Sequence, residues 1–252
     1  MMNSANMQVI YVLWLRHMKR FLRARSRLIA NIVQPFFFLL LFGFGFSSFK
    51  LGGKINYIDF LAPGIIAMSI VFSSMFAGVS VIWDKQFGFL KEVLVAPVSR
   101  LAIVIGQTLG GSTIAIIQGL LVLSISMLIG VKINIYGFMP ALVFMLLIAF
   151  SAAGLGLTIA SRLEDFHGFQ LIMNLLIMPS IFLSSAFFPI QSTPKAMQII
   201  MLLNPLTYAV DGLRGWLIGT FAISMYVDFV IVLALCVSLM LICAFAFNRC
   251  EV

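Results

Sequence analysis

Six apolar stretches, each long enough to cross a lipid bilayer as a helix, constrain this chain more strongly than any other feature of its sequence. They cover approximately residues 28–49, 60–83, 101–129, 138–160, 170–188 and 224–247. A helix needs about 20 mostly apolar residues to span the hydrocarbon core of a bilayer. We therefore expect an all-α membrane protein with six transmembrane helices in a domain of residues 28–252, preceded by a cytoplasmic tail and helix in residues 1–27.

The composition excludes a water-soluble enzyme. Hydrophobic residues make up 62% of the chain, charged residues only 10%, and the mean hydropathy is +1.14, whereas soluble domains are about 45–50% apolar and about 25% charged. The sequence lacks the G-x-x-x-x-G-K-[ST] phosphate loop, so we do not expect it to bind and hydrolyse ATP by itself. With two histidines in the whole chain, we expect no catalytic, cofactor-binding or metal-binding residues.

The distribution of basic residues orients the six helices. If the N-terminus is inside, the inner segments hold eleven of the Lys and Arg residues and the outer segments hold five. The inner residues are Arg16, Lys19, Arg20, Arg23, Arg25, Arg27, Lys85, Lys91, Arg100, Arg162 and Arg249, and the outer ones are Lys50, Lys54, Lys132, Lys195 and Arg214. Because basic residues are enriched in cytoplasmic segments, we expect both termini in the cytoplasm.

Residues 7–27 form a separate amphipathic segment. On a helix with about 100° per residue, four arginines fall within an arc of about 60°, namely Arg16, Arg20, Arg23 and Arg27. The opposite side is apolar and holds Ile10, Leu13, Trp14, Met18 and Phe21. This pattern predicts a basic helix that lies along the inner membrane surface, where anionic lipid head groups attract it. Such a helix is either a topology anchor alone or also a lever connected to a cytoplasmic partner.

The middles of the six stretches carry almost no ionisable residues. An ion-coupled transporter usually places such residues there, so we expect the energy for any transport to come from outside this chain. Asp228 is the main exception, and its position near the outer start of the last stretch is typical of a carboxylate in the first turn of a helix. The amides in or near the stretches either bond neighbouring helices or line a polar part of a path: Asn31, Gln34, Gln107, Gln118 and Asn174.

The inner connection between the second and third stretches combines charged residues with a short apolar set. Phe87, Leu90, Val93 and Leu94 recur with helical spacing, and Pro97 then ends the helix. These apolar side chains need a surface to bury against. A socket on a cytoplasmic partner would provide one.

The outer connection between the fifth and sixth stretches is unusually apolar. Thr193 is expected to cap a helix with Pro194 in its first position, and this helix of residues 195–203 reaches only about 14 Å. Asn204 and Pro205 break it, and residues 206–216 resume with Asp211 and Arg214. Two short helices around a break predict a re-entrant hairpin that dips into the outer leaflet.

Together these residues resemble the ABC-2 type permeases, the membrane subunits of type V ABC exporters. The resemblance rests on the basic lead-in, Gln34-Pro35 at the start of the first span, "GFLKEVLVAPVSR" between spans two and three, and "NPLTYAVDGLRG" before the last span. It covers nearly the whole chain. The arginine-rich lead-in followed by Gln34-Pro35-Phe36 is closer to the drug-resistance and nodulation-factor branch than to the O-antigen polysaccharide branch.

The resemblance implies a homodimer of this chain assembled with two copies of a separate ATP-binding subunit, which holds ATP and Mg²⁺. It implies a coupling helix that fits into the ATP-binding subunit, made of Phe87, Gly88, Leu90, Lys91, Glu92, Val93, Leu94 and Pro97. The N-terminal helix would correspond to the family's connecting helix, which here carries Arg16, Arg20, Arg23 and Arg27. Candidate path-lining residues are Gln34, Phe36, Phe37, Asn174 and Met178, and the hairpin that closes the outer side holds Asn204, Pro205, Tyr208, Asp211 and Arg214.

The expected function is that of a multi-pass permease subunit in the plasma (inner) membrane of a prokaryote, which exports an amphipathic drug, lipid or glycolipid. It is not itself an enzyme, and neither nucleic acid nor a cofactor is expected to bind to it. Two alternatives remain open: a polysaccharide or lipo-oligosaccharide exporter permease of the same family, and a non-transporting membrane scaffold or sensor attached to an ATPase.

Overall fold

The structure is a computed structural model that describes residues 4–46, 50–51, 55–88, 98–163 and 165–248. Within these ranges the chain is almost entirely helical. The helices are α1 (Ser4–Arg23), α2 (Arg25–Gly45), α3 (Tyr57–Met75), α4 (Ala77–Gln86), α5 (Arg100–Leu128), α6 (Phe138–Arg162), α7 (Phe166–Phe182), α8 (Lys195–Leu203), α9 (Pro205–Ile218) and α10 (Met225–Asn248). Short 3₁₀ turns occupy Ile135–Gly137 and Ile190–Ser192, and β1 (Lys50–Leu51) pairs antiparallel with β2 (Ile55–Asn56).

Four stretches of the described chain are long and apolar enough to cross a membrane. They are Tyr57–Gln86, Arg100–Leu128, Ile135–Arg162 and Met225–Phe247. Two further apolar helices are shorter, Val33–Gly45 and Phe166–Phe182. The chain is therefore a helical membrane protein, as expected.

The predicted end of the fifth apolar stretch is wrong. We expected a helix over residues 170–188, but α7 begins at Phe166 and ends at Phe182, and the residues that follow form turns. The backbone N–H of Leu183 still bonds the carbonyl of Pro179 at 2.8 Å. The apolar stretch nevertheless continues past this point in the sequence. Two of its residues, Ala186 and Phe187, are buried in the protein without being helical.

The helix pair α3 and α4 forms the centre of the bundle. Of the most apolar window in Tyr57–Gln86, 89% is buried inside the chain, against 22% for Met225–Phe247, so α10 lies at the edge. Helix α3 contacts α2, α5, α6 and α9, while α1 packs on α5 and α10 packs on α6. The core of α3 is fully buried at Leu61, Ile65, Ile66 and Ile70.

The amphipathic helix ends four residues earlier than predicted. Helix α1 ends at Arg23 because Ala24 leaves the helical region, with φ −87° and ψ 66°, and Arg25 starts α2. Arg27 therefore belongs to α2 and not to the predicted connecting helix. The chain turns here from α1 into the first apolar stretch.

Helix α1 packs along α5. An added Cβ at Gly110 would lie 2.7 Å from the His17 ring, and one at Gly106 would lie 3.0 Å from Leu13 Cβ. Trp14 Nε1 donates to Thr113 Oγ1 at 3.1 Å. Small residues thus let the apolar side of α1 pack against α5. With 29 residues, α5 is about 43 Å long, so it extends well beyond a hydrocarbon core of about 30 Å.

The connection between α7 and α10 contains the predicted helix, break and helix. The expected cap is wrong, because Thr193 Oγ1 donates to the Ile190 carbonyl and Pro194 precedes the helix that begins at Lys195. The break is confirmed: Asn204 caps α9 by accepting the N–H of Leu206 at 3.0 Å, and Pro205 is the first residue of α9.

Candidate coupling interface and transport path

Residues 87–99, the inter-helix segment, connect α4 to α5 and contain the predicted coupling helix. The side chain of Phe87 is 84% exposed, and Gly88 has a positive φ of 76°. A phenylalanine this exposed is available to a partner surface. The remaining members of the predicted coupling helix lie outside the described residues: Leu90, Lys91, Glu92, Val93, Leu94 and Pro97.

Asp84, near the end of α4, faces two of the predicted connecting-helix arginines. Arg16 donates to both carboxylate oxygens of Asp84, and the contact of Arg16 Nη1 with Oδ1 is 3.1 Å. Arg20 Nη2 lies 3.8 Å from Oδ1. The Asp84 side chain is only 5% exposed, so this ion pair is shielded from water on one side. Arg23 is exposed.

Lys85 extends to the C-terminal end of α6. Its Nζ donates to the carbonyl oxygens of Ala160, Ser161 and Leu163 at 3.2, 2.7 and 3.3 Å. The last four carbonyls of a helix have no partner within that helix, and a cation there is favoured by the helix dipole. Lys85, the residue that follows Asp84, therefore caps the C-terminal end of α6.

The other side of the inter-helix segment is bonded in a similar way. Ser99 caps α5 by accepting the N–H of Ala102 at 3.2 Å, and its own N–H donates to Asn6 Oδ1 of α1 at 3.1 Å. Arg100 Nη1 donates to the carbonyl of Phe247, in the last turn of α10, at 3.3 Å. Both ends of the segment thus bond to α1 and to the C-terminal end of a long helix.

A buried polar cluster joins α1, α4 and α5. His17 Nε2 forms a short hydrogen bond with Gln107 Oε1, and Ser80 Oγ lies 3.4 Å from each of these atoms. Burial lowers the pKa of His17 from its ordinary value, and the hydrogen bond with Gln107 opposes this shift. The imidazole is therefore neutral near pH 7. Gln107 bonds neighbouring helices, which was one of its two predicted uses.

The predicted path residues on α2 lie on a partly uncovered helix. Gln34 and Phe37 are exposed, Phe37 by 53%, and Phe36 is half-buried. Gln34 borders a cavity of about 70 Å³ between α2, α3 and α5, together with Gln118. The structure therefore brings two of the singled-out amides to one cavity.

The predicted path residues on α7 also lie on a partly uncovered helix. Asn174 is exposed and Met178 is half-buried, while Leu175 between them is 79% exposed. The opposite side of α7, with Ile177, borders an apolar cavity of about 210 Å³ that α3, α6 and α10 also line. Asn204, at the break between α8 and α9, also lines this cavity.

An aromatic cluster that sequence reasoning missed connects α2 to the end of α7. Phe187 packs with Phe38, Phe42 and Phe182 at centroid distances of 6.2, 5.5 and 5.2 Å. Tyr57 donates its hydroxyl hydrogen to the Phe187 carbonyl at 3.0 Å. The repeat of phenylalanine every four residues in α2 was a signal for this face, but the position of Phe187 was not predictable from spacing.

Arg214, a predicted hairpin residue, holds α9 against α3 and the chain after α7. It is 3% exposed, its Nε donates to the Phe60 carbonyl at 3.2 Å, and its Nη2 donates to the Ser185 carbonyl at 2.6 Å. The guanidinium carbon also lies 3.7 Å from the centroid of the Phe60 ring, which is a cation–π contact. Arg214 lies 3.7 Å from Asp211 as well.

The other predicted hairpin residues bond to neighbouring parts of the bundle. Asp211 accepts the backbone N–H groups of Ala222 and Ile223 at 2.8 to 3.1 Å, which ties α9 to the start of α10. Tyr208 donates its hydroxyl hydrogen to the Leu202 carbonyl at 2.7 Å. Asn204 Nδ2 donates to the Ser180 carbonyl of α7 at 2.6 Å. These residues fasten the hairpin to the bundle.

Comparison with known proteins identifies the family. Residues 8–218 match the model of the ABC-2 type transporters. The chain belongs to the ABC-2 type transporter family. It is 33% identical over 202 residues to a putative transport permease, ycf38, of Pyropia yezoensis, an alignment that covers 76% of this chain and 68% of that protein.

Two bacterial members of the ABC-2 family align over more of the chain. The inner membrane transport permease YadH of Escherichia coli strain K12 is 25% identical over 236 residues, which cover 92% of this chain and 91% of YadH. The daunorubicin resistance ABC transporter permease protein DrrB1 of Streptomyces coeruleorubidus is 27% identical over 240 residues, 93% of this chain and 81% of DrrB1. The similarity thus extends through both ends of the inter-helix segment and through α8 and α9.

Proposed function

We propose that this chain is the permease subunit of an ATP-driven exporter that works with a separate ATP-binding subunit. Membership of the ABC-2 family across residues 8–218 carries this proposal. The spans contain few charged side chains, so the work of transport comes from a partner that hydrolyses ATP. The exposed Phe87 at the start of the inter-helix segment supports a contact with that partner.

The proposed topology has six spans with both termini in the cytoplasm of a prokaryotic inner membrane. Helices α2 and α7 would complete the six, with 21 and 17 residues, or about 31 and 25 Å. The excess of Lys and Arg in the connections on one side supports this orientation. The hairpin α8–α9 would then lie on the outer side and close the path there.

In the proposed coupling mechanism, the inter-helix segment inserts into a cleft of the ATP-binding subunit. Closure of two ATP-binding subunits around nucleotide would displace the segment and shift the permease between two packed arrangements. Nucleotide shifts this equilibrium only if the ATP-bound partner binds the two arrangements with different affinity. Glu92 and Lys91 are the charged residues proposed for this contact.

We propose that two copies of the chain enclose the path. The uncovered sides of α2 and α7 hold large apolar residues, and Leu41 and Leu171 are 68% and 71% exposed. Gln34 and Asn174 lie among them. A second copy would cover part of these surfaces and leave the amides beside the path, where flexible Met and Phe side chains suit amphipathic cargo such as a drug, lipid or glycolipid.

The proposed permease function is tested by expressing the chain together with its neighbouring genes and purifying it in mild detergent. An equimolar ATP-binding subunit is expected, and Glu92→Arg is expected to abolish cargo-stimulated ATP hydrolysis while Glu92→Asp retains it. Unchanged coupling in Glu92→Arg would refute the assignment of this residue. A complex that hydrolyses ATP but moves neither drug, lipid nor oligosaccharide in vesicles would favour the scaffold or sensor.

A further inference from the structure

Each end of the inter-helix segment makes the same pair of attachments. Asp84 bonds α1 through Arg16, and the next residue, Lys85, bonds the C-terminal carbonyls of α6. On the other side Ser99 bonds α1 through Asn6, and the next residue, Arg100, bonds the C-terminal end of α10. Asp84 and Lys85 before the segment, with Ser99 and Arg100 at its end, therefore connect it to α1 on both sides and to the C-terminal ends of α6 and α10.

The residues just before the N-terminal ends of α6 and α10 both bond to α9. The N–H of Asn134, just before the 3₁₀ turn that leads into α6, donates to the Leu217 carbonyl of α9 at 2.8 Å. The residues that lead into α10 donate two backbone N–H groups to Asp211 of α9. Helices α6 and α10 pack along each other between these ends. Both therefore run from the flanks of the inter-helix segment to the outer hairpin.

We propose that Asp84, Lys85, Ser99 and Arg100 act as a clamp that transmits displacement of the inter-helix segment to the outer hairpin through α6 and α10. This inference rests on the proposed function, because it requires the segment to be moved by a nucleotide-driven partner. The four are positioning residues. A packed helix shifts as a body, so a shift applied at its C-terminal end reaches the hairpin bonds at its N-terminal end.

The cations are the most informative members of the clamp. Lys85 makes three hydrogen bonds to carbonyls at the C-terminal end of α6, and Arg100 makes one to α10. If they only stabilised the helix ends, their removal would lower stability and leave signal transmission intact. If they transmit movement, their removal disconnects the hairpin from nucleotide while the ATP-binding subunit still works.

The test is a labelling experiment that does not depend on the cargo. A cysteine at the exposed position Lys195 of α8 is labelled with a maleimide in the purified complex with its ATP-binding subunit, with and without trapped nucleotide. Labelling is compared with that of the chain without Lys195→Cys, which accounts for the native cysteines. The variants are Lys85→Met with Arg100→Met, the conservative Lys85→Arg, and the control Arg162→Met, which removes an exposed cation from the same last turn of α6.

We expect nucleotide to change the labelling rate several-fold in the wild type, in Lys85→Arg and in Arg162→Met. In Lys85→Met with Arg100→Met this change is lost while ATP hydrolysis remains close to that of the wild type, and the melting temperature falls because the helix-end hydrogen bonds are removed. A nucleotide-dependent change of wild-type size in that double variant overturns the clamp. If the double variant does not fold, Asp84→Asn takes its place with the same two outcomes. A wild-type chain that binds no ATP-binding subunit instead overturns the proposed function itself.

Discussion

Replacing Gly156 by Ala tests how closely α6 packs against the end of α3. An added Cβ at Gly156 would lie 2.7 Å from the Met75 carbonyl oxygen and 2.9 Å from Met75 Cα. Both atoms belong to the backbone, so no change of side-chain conformation relieves the contact. Ordinary contact begins near 3.4 Å, and the two helices must therefore separate by about 0.7 Å.

Overpacking of this kind destabilises by about 1–3 kcal/mol. Gly154→Ala is the matched control, because an added Cβ there would lie 3.4 Å from its nearest neighbours, Leu239 O and Met240 Sδ. Both substitutions gain the same helix propensity, about 1 kcal/mol. The free energy of unfolding of the two variants should therefore differ by about 1–3 kcal/mol, with Gly156→Ala the less stable.

The measurement is the thermal unfolding of both purified variants in the same detergent. For a chain of this size, 1 kcal/mol shifts the melting temperature by about 2–4 °C, so Gly156→Ala should melt roughly 2–12 °C below Gly154→Ala. Equal melting temperatures would refute the close approach of α6 to Met75. A lower melting temperature for Gly154→Ala would mean that α6 is packed more closely at Gly154 than at Gly156.

Two further predictions concern buried titratable groups. Burial lowers the pKa of His17, so below the ordinary pKa of about 6.5 the unfolded chain binds more protons than the folded chain, and stability falls as the pH drops through that value. The melting temperature of His17→Gln should therefore depend less steeply on pH between about pH 7.5 and pH 5.5 than that of the wild type. Parallel curves of melting temperature against pH would contradict this prediction. Asp228 is fully buried and its carboxylate oxygens find no donor within the described part of the chain, so Asp228→Asn should raise the free energy of unfolding by about 1–3 kcal/mol in a denaturation series. Asp59→Asn is the control, since Asp59 accepts the N–H of Lys132 at 3.3 Å, and a loss of stability in Asp228→Asn would refute the prediction.

The candidate site was predictable where it depended on local pattern. The spacing of Arg16 and Arg20 placed both on one side of a helix, and the structure directs both toward Asp84. Their partner was not predictable, because Asp84 lies 68 positions from Arg16 and helical periodicity carries no information about contacts at that separation. The contact of α1 with α5 was not predictable for the same reason: an apolar side fits lipid or a neighbouring helix equally well.

The sequence alone determined the class of protein, the apolar stretches and the break at Asn204 and Pro205. Each follows from properties of neighbouring residues, namely hydropathy over about 20 positions and the backbone restriction that proline imposes. Only the tertiary structure decided that Lys85 and Arg100 bond the ends of α6 and α10 and that Phe187 joins the aromatic cluster. These contacts depend on how helices far apart in sequence pack together, and small residues and unpaired helix-end carbonyls allow many such arrangements until the whole bundle is assembled.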